Sequence, residues 1–466
     1  MDEEDLPMPT LQPNMLVAEG RYRLIRSLEN AGKFSTIWLA RATAPPPQAE
    51  GAMDEPPRRR SRKKAAAEKT ETQDVAVKIY TTDESCSMVP LKEVHNYNEL
   101  AKLRGTPPFI QSLIEATTDP FPCIVLPLAE MDLFDYLELR PDHKLTGQNA
   151  AYLMLQLCAG LDFLHSRDLA HGDLKTENIL VYEDRHSSTP VRVTISDFDS
   201  LQFCTPQALK THGMRRALQT PDLSTEEVTR TMGSDGMYEY RIRCDGEDVE
   251  VFNEEPAVTA EYRAPEFLLD SAVYTPHSDM WALGCIYFEM RTGVPLFEDV
   301  RGEEDTTCTD EEEEGSGDDA MSDGSQGGEE REEGEVDEDD DGDEDGDDDD
   351  DDDDAMGSFE HLVQIIDLCG PVPPHMQGRH HAMFEHGVLA GVPPQSRPLF
   401  KILHQEHGIA RKNASKTNEF LSQMLRMDPT TRASARKIDA CIRDEYKRMR
   451  KIDVGGAAGS SAPPEK

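Results

Sequence analysis

The segment His171–Asn178, HGDLKTEN, holds three side chains whose types suit phosphoryl transfer. Asp173 can orient a hydroxyl and accept its proton, and Lys175 can neutralise a moving phosphate. Asn178, five residues after Asp173, can hold a metal ion. The plain alternative is a polar loop with ordinary capping residues, because short motifs recur by chance. The motif therefore gains meaning only from other residues in the right order.

Two further charged residues fit the same chemistry. Asp197 lies nineteen residues beyond Asn178, in ISDFDS, after a β-branched run. A carboxylate there suits Mg²⁺, which takes oxygen ligands from protein and phosphate together. Lys78 lies upstream in the strand-like run DVAVKIY, where its ammonium could pair with the phosphates of ATP. Its expected ion-pair partner is Glu93, and Glu99 is the second choice.

The elements that must position these residues change character along the chain. From Arg21 onward, alternating apolar and polar residues predict strands, and Cys123–Leu128 reads as a buried strand. Apolar residues at three- and four-residue spacing predict helices at Pro90–Arg104 and Gly147–His165. Short strands and then more helices follow, to about Met449. We therefore expect an α+β fold, mostly β at first and mostly helical afterwards.

The charge of the chain is concentrated in one segment. The 466 residues carry a net charge of −44, and Gly302–Asp354 holds 32 acidic residues and one Arg, which leaves −13 elsewhere. This balance argues against direct binding to bare nucleic acid or anionic lipid and favours basic partners. The acidic N-terminus does not resemble a signal peptide, and no apolar stretch approaches the roughly 20 residues of a membrane span. The nine scattered Cys suggest reduced thiols in the cytosol or nucleus.

Composition also marks segments outside the expected core. Residues 1–20 read as a flexible lead and residues 450–466 as a flexible tail. Residues 42–73 read as a loop insertion, whose basic run RRRSRKK (Arg58–Lys64) is either a nuclear-localisation signal or a solvated loop.

The acidic insertion, residues 302–354, has three readings. It could be a disordered, self-repelling segment, a docking site for basic partners such as Arg/Ser-rich or histone-like tails, or an autoinhibitory segment.

The order of a Gly-containing hairpin, VAVK, HGDLKTEN, DFD, EYRAPE and DMWALG resembles a eukaryotic-type Ser/Thr protein kinase over roughly Arg21–Met449. Within that family, GKFSTIWLA, YRAPE and FEHLVQIIDLCGPVPP resemble the CMGC group, and within it the SR-protein kinases. The resemblance implies a bilobal fold, with an N-lobe at 21–126, a C-lobe at 127–449, and ATP and Mg²⁺ between them.

The resemblance also implies roles for individual residues. Asp173 would be the base, Lys175 and Thr259 would assist it, and Asn178 and Asp197 would bind the metal. The remaining nucleotide-binding positions would be Gly32, Ile37, Ala76, Lys78, Glu93, Leu126 as gatekeeper, Leu128 in the hinge, and Leu180. His171 and Phe198 would stack beneath Tyr97, Glu266 would pair with Arg432, and Asp279 would anchor the catalytic loop.

Three positions depart from the family pattern. The Gly-rich loop keeps only Gly32, and the metal motif reads Asp-Phe-Asp, with Asp199 in place of glycine. Gly172 stands where most kinases have the Arg that binds a phosphorylated activation loop. We therefore expect activity that does not require loop phosphorylation. The activation segment is also long: residues 200–258 form an insertion, with a hairpin expected at Met237–Glu255 around an Asp-Gly turn.

The sequence thus favours an ATP-dependent protein serine/threonine kinase acting on protein substrates, in particular Arg/Ser-rich or basic ones. Two alternatives are a pseudokinase scaffold and an acidic-tract interaction protein that binds basic partners. We expect the chain to work in the nucleus, the cytoplasm or both, without a nucleic-acid or membrane partner.

Overall fold

The structure is a computed structural model. It describes residues 9–28, 35–43, 73–80, 88–183, 191–205, 214–215, 225–232, 238–244, 247–252, 258–269, 274–297, 349–378, 384 and 397–457.

The N-terminal lobe is an antiparallel sheet of six strands. In sheet order these are β1 (Leu16–Val17), β2 (Tyr22–Ser27), β3 (Ser35–Ala42), β4 (Asp74–Tyr80), β6 (Cys123–Pro127) and β5 (Glu115–Thr117). Their inward residues form a core with Leu24, Trp38 and Val77 near its centre. Alternation of apolar and polar residues produces this core, because neighbouring strand residues face opposite sides of the sheet. Among the described residues of this lobe, one helix follows β4: α1 (Met88–Lys102) begins and ends two residues earlier than predicted.

The predicted flexible lead is wrong at its C-terminal end. Leu16 and Val17 form β1, which pairs with β2, and Val17 and Ala18 are buried. The sequence there alternates too briefly for a strand to be recognised, and the strand is stabilised by its neighbour. The predicted basic insertion joins β3 to β4, and its residues 44–72, with Arg58–Lys64, lie outside the described residues.

The C-terminal lobe is mostly helical. Its helices are α2 (Leu133–Glu138), α3 (Gly147–His165), α4 (Pro265–Leu268), α5 (Pro276–Thr292), α6 (Asp349–Cys369), α7 (Leu399–Lys401), which continues into a π-helical turn (Ile402–Glu406), α8 (Arg411–Met424) and α9 (Ala435–Ala457). α5 lies at the centre, with Trp281 fully buried and stacked on Phe297 at 5.7 Å. Among the described helices, none is long and apolar enough to cross a membrane. The predicted bilobal α+β fold is confirmed.

Short strands of the C-lobe carry the polar loops of interest. β7 (Met131–Asp132), β9 (Ile179–Glu183) and β10 (Val191–Ile195) form one small sheet, and β8 (Leu169–Ala170) pairs with β11 (Gln202–Phe203). The loop 171–178 leaves β8 and enters β9, whereas the loop 196–201 leaves β10 and enters β11. The two pairings therefore bring these two loops side by side.

The long activation segment contains a further antiparallel sheet, of four strands. Its order is β12 (Met214–Arg215), β15 (Glu247–Phe252), β14 (Tyr238–Cys244) and β13 (Thr225–Met232). β14 and β15 are the predicted hairpin, with Cys244 opposite Glu247. β13 was not predicted, because TEEVTRTM is largely polar.

Two predicted boundaries in the C-lobe change. The last six residues of the acidic insertion, Asp349–Asp354, form the first turns of α6. The predicted flexible tail begins later than Arg450, because α9 continues to Ala457. In both places a helix with an apolar stretch extends into residues that composition alone assigned to a loop. Most of the acidic insertion, residues 302–348, lies outside the described residues.

Candidate active site

The loop that follows β8 is fixed by the buried carboxylate of Asp279 on α5. Oδ2 of Asp279 accepts hydrogen bonds from the backbone amide of His171 at 2.8 Å and from Nε2 of His165 at 2.8 Å, while the hydroxyl of Tyr274 donates to Oδ1 at 2.9 Å. Burial opposes ionisation of this carboxyl, but the hydrogen bond from His165 and the nearby imidazoles outweigh it and lower its pKa. Asp279 is therefore an ionised anchor, as the resemblance implied.

Asp173, Lys175 and Thr259 form one cluster. Oδ1 of Asp173 accepts hydrogen bonds from the hydroxyl of Thr259 at 2.9 Å and from its backbone amide at 3.1 Å. Nζ of Lys175 lies 3.3 Å from Oδ2 of Asp173 and donates to Oγ1 of Thr259 at 3.0 Å. These contacts hold Asp173 in one orientation and leave a cation beside it. The arrangement can orient a hydroxyl at a carboxylate and neutralise charge that develops next to it.

Lys78 links two carboxylates from different lobes. Its Nζ lies 2.9 Å from Oε2 of Glu93 on α1 and 2.8 Å from Oδ1 of Asp197 after β10. The structure thus places Glu93 at Lys78, whereas Glu99 pairs with Lys102. Burial would lower the pKa of Lys78, but the two carboxylates outweigh burial and raise it well above its usual value. Lys78 is therefore a fixed positive charge in the cleft, suited to a phosphate.

The carboxylates around Lys78 differ in charge. Burial raises the pKa of Glu93 to about 7, although Lys78 opposes the shift. Asp197 has a lowered pKa, because the ammonium of Lys78 outweighs its burial. Burial and the neighbouring Asp197 raise the pKa of Asp199. Asp197 is therefore the carboxylate best suited to bind a cation.

Asn178 and Asp197 offer a pair of oxygen ligands. The backbone carbonyl of Asn178 accepts a hydrogen bond from Ser196 at 2.9 Å, which brings Asn178 beside Asp197. Nδ2 of Asn178 donates to the backbone carbonyl of Asp173 at 2.7 Å, which leaves the side-chain oxygen for a metal. No cluster of three or more Asp, Glu, His or Cys suited to a metal occurs in the described part of the chain. Two protein ligands fit Mg²⁺, which takes its remaining ligands from phosphate and water.

The predicted nucleotide-binding apolar residues lie on adjacent strands. In the register of the sheet, Ile37 on β3 is opposite Lys78, and Ala76 on β4 is opposite Leu126 on β6. Leu126 is buried, while Ile37, Ala76, Leu128 and Leu180 are half-buried. Half-buried apolar side chains are typical of the wall of a cleft. Gly32 lies outside the described residues.

Aromatic rings connect α1 to both loops. The ring of Phe198 lies 5.3 Å from that of Tyr97 on α1 and 5.3 Å from that of His171, measured between centroids. This is the stack that the resemblance implied. The predicted pair of Glu266 and Arg432 is also formed, with both side chains buried and Nη1 of Arg432 2.7 Å from Oε1 of Glu266.

Sequence reasoning missed two polar residues that face the site. Tyr80 donates a hydrogen bond to Oε2 of Glu93, and Asn96 donates to the backbone carbonyl of Phe198. Their spacing was a usable signal. Tyr80 lies two residues after Lys78 on a strand, and Asn96 lies three residues after Glu93 on a helix, so each shares a face with a predicted site residue.

Comparison with known proteins bears on this arrangement. The model of the family described as "Protein kinase domain" matches residues 61–236 and 245–441. The chain belongs to the protein kinase family. This kinase is similar to Mitogen-activated protein kinase 10 of Arabidopsis thaliana, with 33% identity over 37% of the chain and 31% of that protein. It is also similar to Cell division control protein 2 homolog 3 of Trypanosoma brucei brucei, with 30% identity over 50% of the chain and 58% of that protein.

A third similar protein is the Probable CTD kinase subunit alpha homolog of Encephalitozoon cuniculi, with 26% identity over 50% of the chain and 54% of that protein. The matched part of the kinase thus spans about a third to somewhat over half of these relatives. Their names support the CMGC group. The finer likeness to SR-protein kinases stays a prediction.

Proposed function

We propose that the chain is a protein serine/threonine kinase that transfers the γ-phosphoryl group of ATP to Ser or Thr hydroxyls of protein substrates. One observation carries this proposal: the carboxylate of Asp173 is held by Thr259 and Lys175, and the neighbouring loop carries Asp197, which pairs with Lys78. Lys78 also pairs with Glu93. Each charged group that phosphoryl transfer requires is therefore present and oriented. The same groups argue against the pseudokinase alternative.

Each residue of the site has a distinct part in this reaction. The carboxylate of Asp173 accepts the proton of the substrate hydroxyl, while Thr259 keeps the carboxylate from rotating. Lys175 stabilises the negative charge beside Asp173, and Lys78 holds the phosphates of ATP. Asn178 and Asp197 would bind Mg²⁺, which supplies positive charge for the phosphate oxygens when bound.

A basic substrate is favoured by carboxylates near the substrate-facing segment. Burial, together with the charges of Glu177 and Glu261, raises the pKa of Glu289 to about 7. Glu261 lies two residues after Thr259, so this negative field is close to Asp173. An Arg or Lys of the substrate would be attracted there, which supports Arg/Ser-rich or otherwise basic targets.

The proposal extends to the location of the chain and to the role of its acidic insertion. The basic run Arg58–Lys64 supports entry into the nucleus, and the remaining features are compatible with the cytoplasm. The 32 acidic residues at 302–354 favour docking of basic partners. Deleting residues 302–348 tests the docking role. If the insertion docks partners, the deletion should abolish partner binding but leave phosphoryl transfer to a short peptide intact.

The deciding experiment is transfer from labelled ATP with Mg²⁺ by the purified chain and by its Asp173→Asn variant. An Arg/Ser-repeat peptide, a basic histone and an acidic casein are offered in parallel. We expect the wild type to transfer phosphate, preferentially to the two basic substrates. The Asp173→Asn variant should transfer none. Equal background from both proteins, with ATP binding retained, would contradict the kinase proposal and favour the scaffold. Preference for casein would contradict only the basic-substrate part.

A further inference from the structure

Two deeply buried polar side chains link α1 to its catalytic neighbours. Tyr80 and Asn96 are each 1% exposed. Buried polar groups are nearly always hydrogen-bonded, and the choice of partner shows what they hold in place. Here each bond ends at a residue of the site or directly beside one.

Tyr80 binds the same carboxylate oxygen as Lys78. It lies on β4 two residues after Lys78, and its hydroxyl donates to Oε2 of Glu93, the oxygen that lies 2.9 Å from Nζ of Lys78. Nζ of Lys78 is 5.6 Å from the centre of the Tyr80 ring. Among the described residues, no donor reaches Oε1 of Glu93. The orientation of the Glu93 carboxylate thus depends on Lys78 and Tyr80.

Asn96 binds the segment that carries Asp197. It lies one helical turn after Glu93 on α1, and its Nδ2 donates to the backbone carbonyl of Phe198 at 2.6 Å. The same nitrogen lies 3.5 Å from the backbone carbonyl of Asp199. Asn96 therefore ties α1 to the backbone directly after Asp197.

We propose that Tyr80 and Asn96 are positioning residues that hold α1 from two sides, so that Glu93 remains on Lys78 and Asp197 remains in the cleft. The inference rests on the proposed kinase activity. Gly172 offers no side chain that could bind a phosphorylated activation segment, whereas these two hydrogen bonds reach α1 from within the fold. Loss of either bond removes one donor from a buried acceptor, which costs more than the loss of an exposed contact.

The test uses Tyr80→Phe and Asn96→Leu, each alone, and Tyr80→Phe combined with Glu93→Gln. We expect each single variant to lower kcat about tenfold, the order of effect of a hydrogen bond to a charged or buried group. If Tyr80 acts through Glu93, adding Tyr80→Phe to Glu93→Gln changes kcat less than about twofold, because coupled residues are not additive. An equal tenfold fall in both backgrounds would overturn the inference.

Tyr22→Phe is the matched control. Tyr22 is a buried tyrosine of the same sheet, 3% exposed, whose hydroxyl bonds to Glu115 away from the site. It should leave kcat unchanged. A fall in kcat as large as that of Tyr80→Phe would show that losing any buried hydroxyl of this sheet is enough, and would overturn the inference.

Hydrogen exchange of the α1 amides separates this inference from the kinase proposal. Exchange should be faster in Tyr80→Phe and Asn96→Leu than in the wild type and Tyr22→Phe, at temperatures where all four are folded. An inactive wild type would contradict the kinase proposal. The exchange rates of the α1 amides would then still show whether the two hydrogen bonds hold α1. Unchanged exchange together with unchanged kcat would defeat the two positioning roles alone.

Discussion

The α-carbon of Gly172 packs against the backbone carbonyl of Ser200. Gly172 has a φ of +97°, and a Cβ atom at this position would lie 2.0 Å from the Ser200 oxygen. The close approach follows from the pairing of β8 with β11, in which Ala170 is opposite Gln202. Glycine is therefore required where the loop of Asp173 passes the segment that carries Asp197.

A side chain at residue 172 should destabilise the fold. We expect Gly172→Ala to lower the free energy of unfolding by about 3 kcal/mol, because it adds a backbone clash to the cost of a positive φ. Gly105→Ala is the control, since Gly105 has a φ of +79° with open space around it. Its cost should be about 1 kcal/mol. Urea denaturation measures both values, and equal losses would show that contact with Ser200 does not matter.

Activity should not depend on phosphorylation of the activation segment. Gly172 lacks the guanidinium that could bind a phosphate, and Tyr80 and Asn96 already hold α1. Treatment with a phosphatase should therefore leave the rate of peptide phosphorylation within about twofold of a mock-treated sample. Loss of activity that is restored by rephosphorylation of this segment would contradict the expectation.

Thr259 should matter to the rate more than to stability. Thr259→Val keeps the shape of the side chain but removes the hydroxyl that donates to Asp173 and accepts from Lys175. We expect kcat to fall roughly 10–100-fold, the order of loss that misplacing a catalytic group produces. Thr259→Ser, which keeps the hydroxyl, is the control and should retain most of the activity. Similar rates for Val and Ser would argue against this role.

Stability should respond to the charge of Glu289. Burial raises its pKa to about 7 from the usual 4.5, and the hydroxyl of Tyr262 donates to its Oε2 at 2.7 Å. The folded chain therefore holds this proton more tightly than the unfolded chain. The stabilising contribution is complete below about pH 4.5 and is lost as the pH rises through about 7.

The variant Glu289→Gln removes this titration. Relative to the wild type, its melting temperature should rise as the pH is raised from about 5 to about 8. Glu419→Gln, at an exposed carboxylate, is measured in parallel as the control for the loss of one negative charge. A constant difference for Glu289→Gln would mean that Glu289 ionises alike in the folded and unfolded chains.

The buried ion pair of Arg432 should not tolerate lysine. The guanidinium binds both oxygens of Glu266 and also donates to the backbone carbonyls of Arg426 and His277. Lysine cannot make these bonds at once, so Arg432→Lys should cost about 3 kcal/mol, as measured by urea denaturation. The control is Arg436→Lys, since Arg436 is exposed and pairs with Asp162. Its cost should stay below about 0.5 kcal/mol, and equal losses would count against the buried pair.

Most of the fold could be predicted from periodicity and motif order. Gly147–His165 was predicted with the observed bounds, because its apolar spacing is uninterrupted; the structure adds that Thr146 caps its first turn. β4 was also predicted with the observed bounds. β1 and β13 could not be found, since a two-residue strand and a polar strand are stabilised by their neighbours rather than by their own residues.

The candidate site was predicted where a motif carries the residue and missed where only packing does. Asp173, Lys78 and Asp197 lie in recognisable motifs, and the structure brings them to one cleft. Tyr80 and Asn96 gave no motif, because a single Tyr or Asn on a strand or helix is common. The requirement for glycine at position 172 could likewise be predicted only in part, since its contact with Ser200 depends on strands that are remote in sequence.

The junction between β3 and β4 has a consequence for protein engineering. The amide of Ala42 donates to the carbonyl of Gln73 at 3.0 Å, so the two ends of the intervening segment meet as ladder partners. The entropy of closing a loop grows slowly, by about 0.6 kcal/mol for each doubling of its length. A reporter domain or an affinity tag could therefore replace residues 44–72 while the register of the sheet, and with it the placement of Lys78, stays the same.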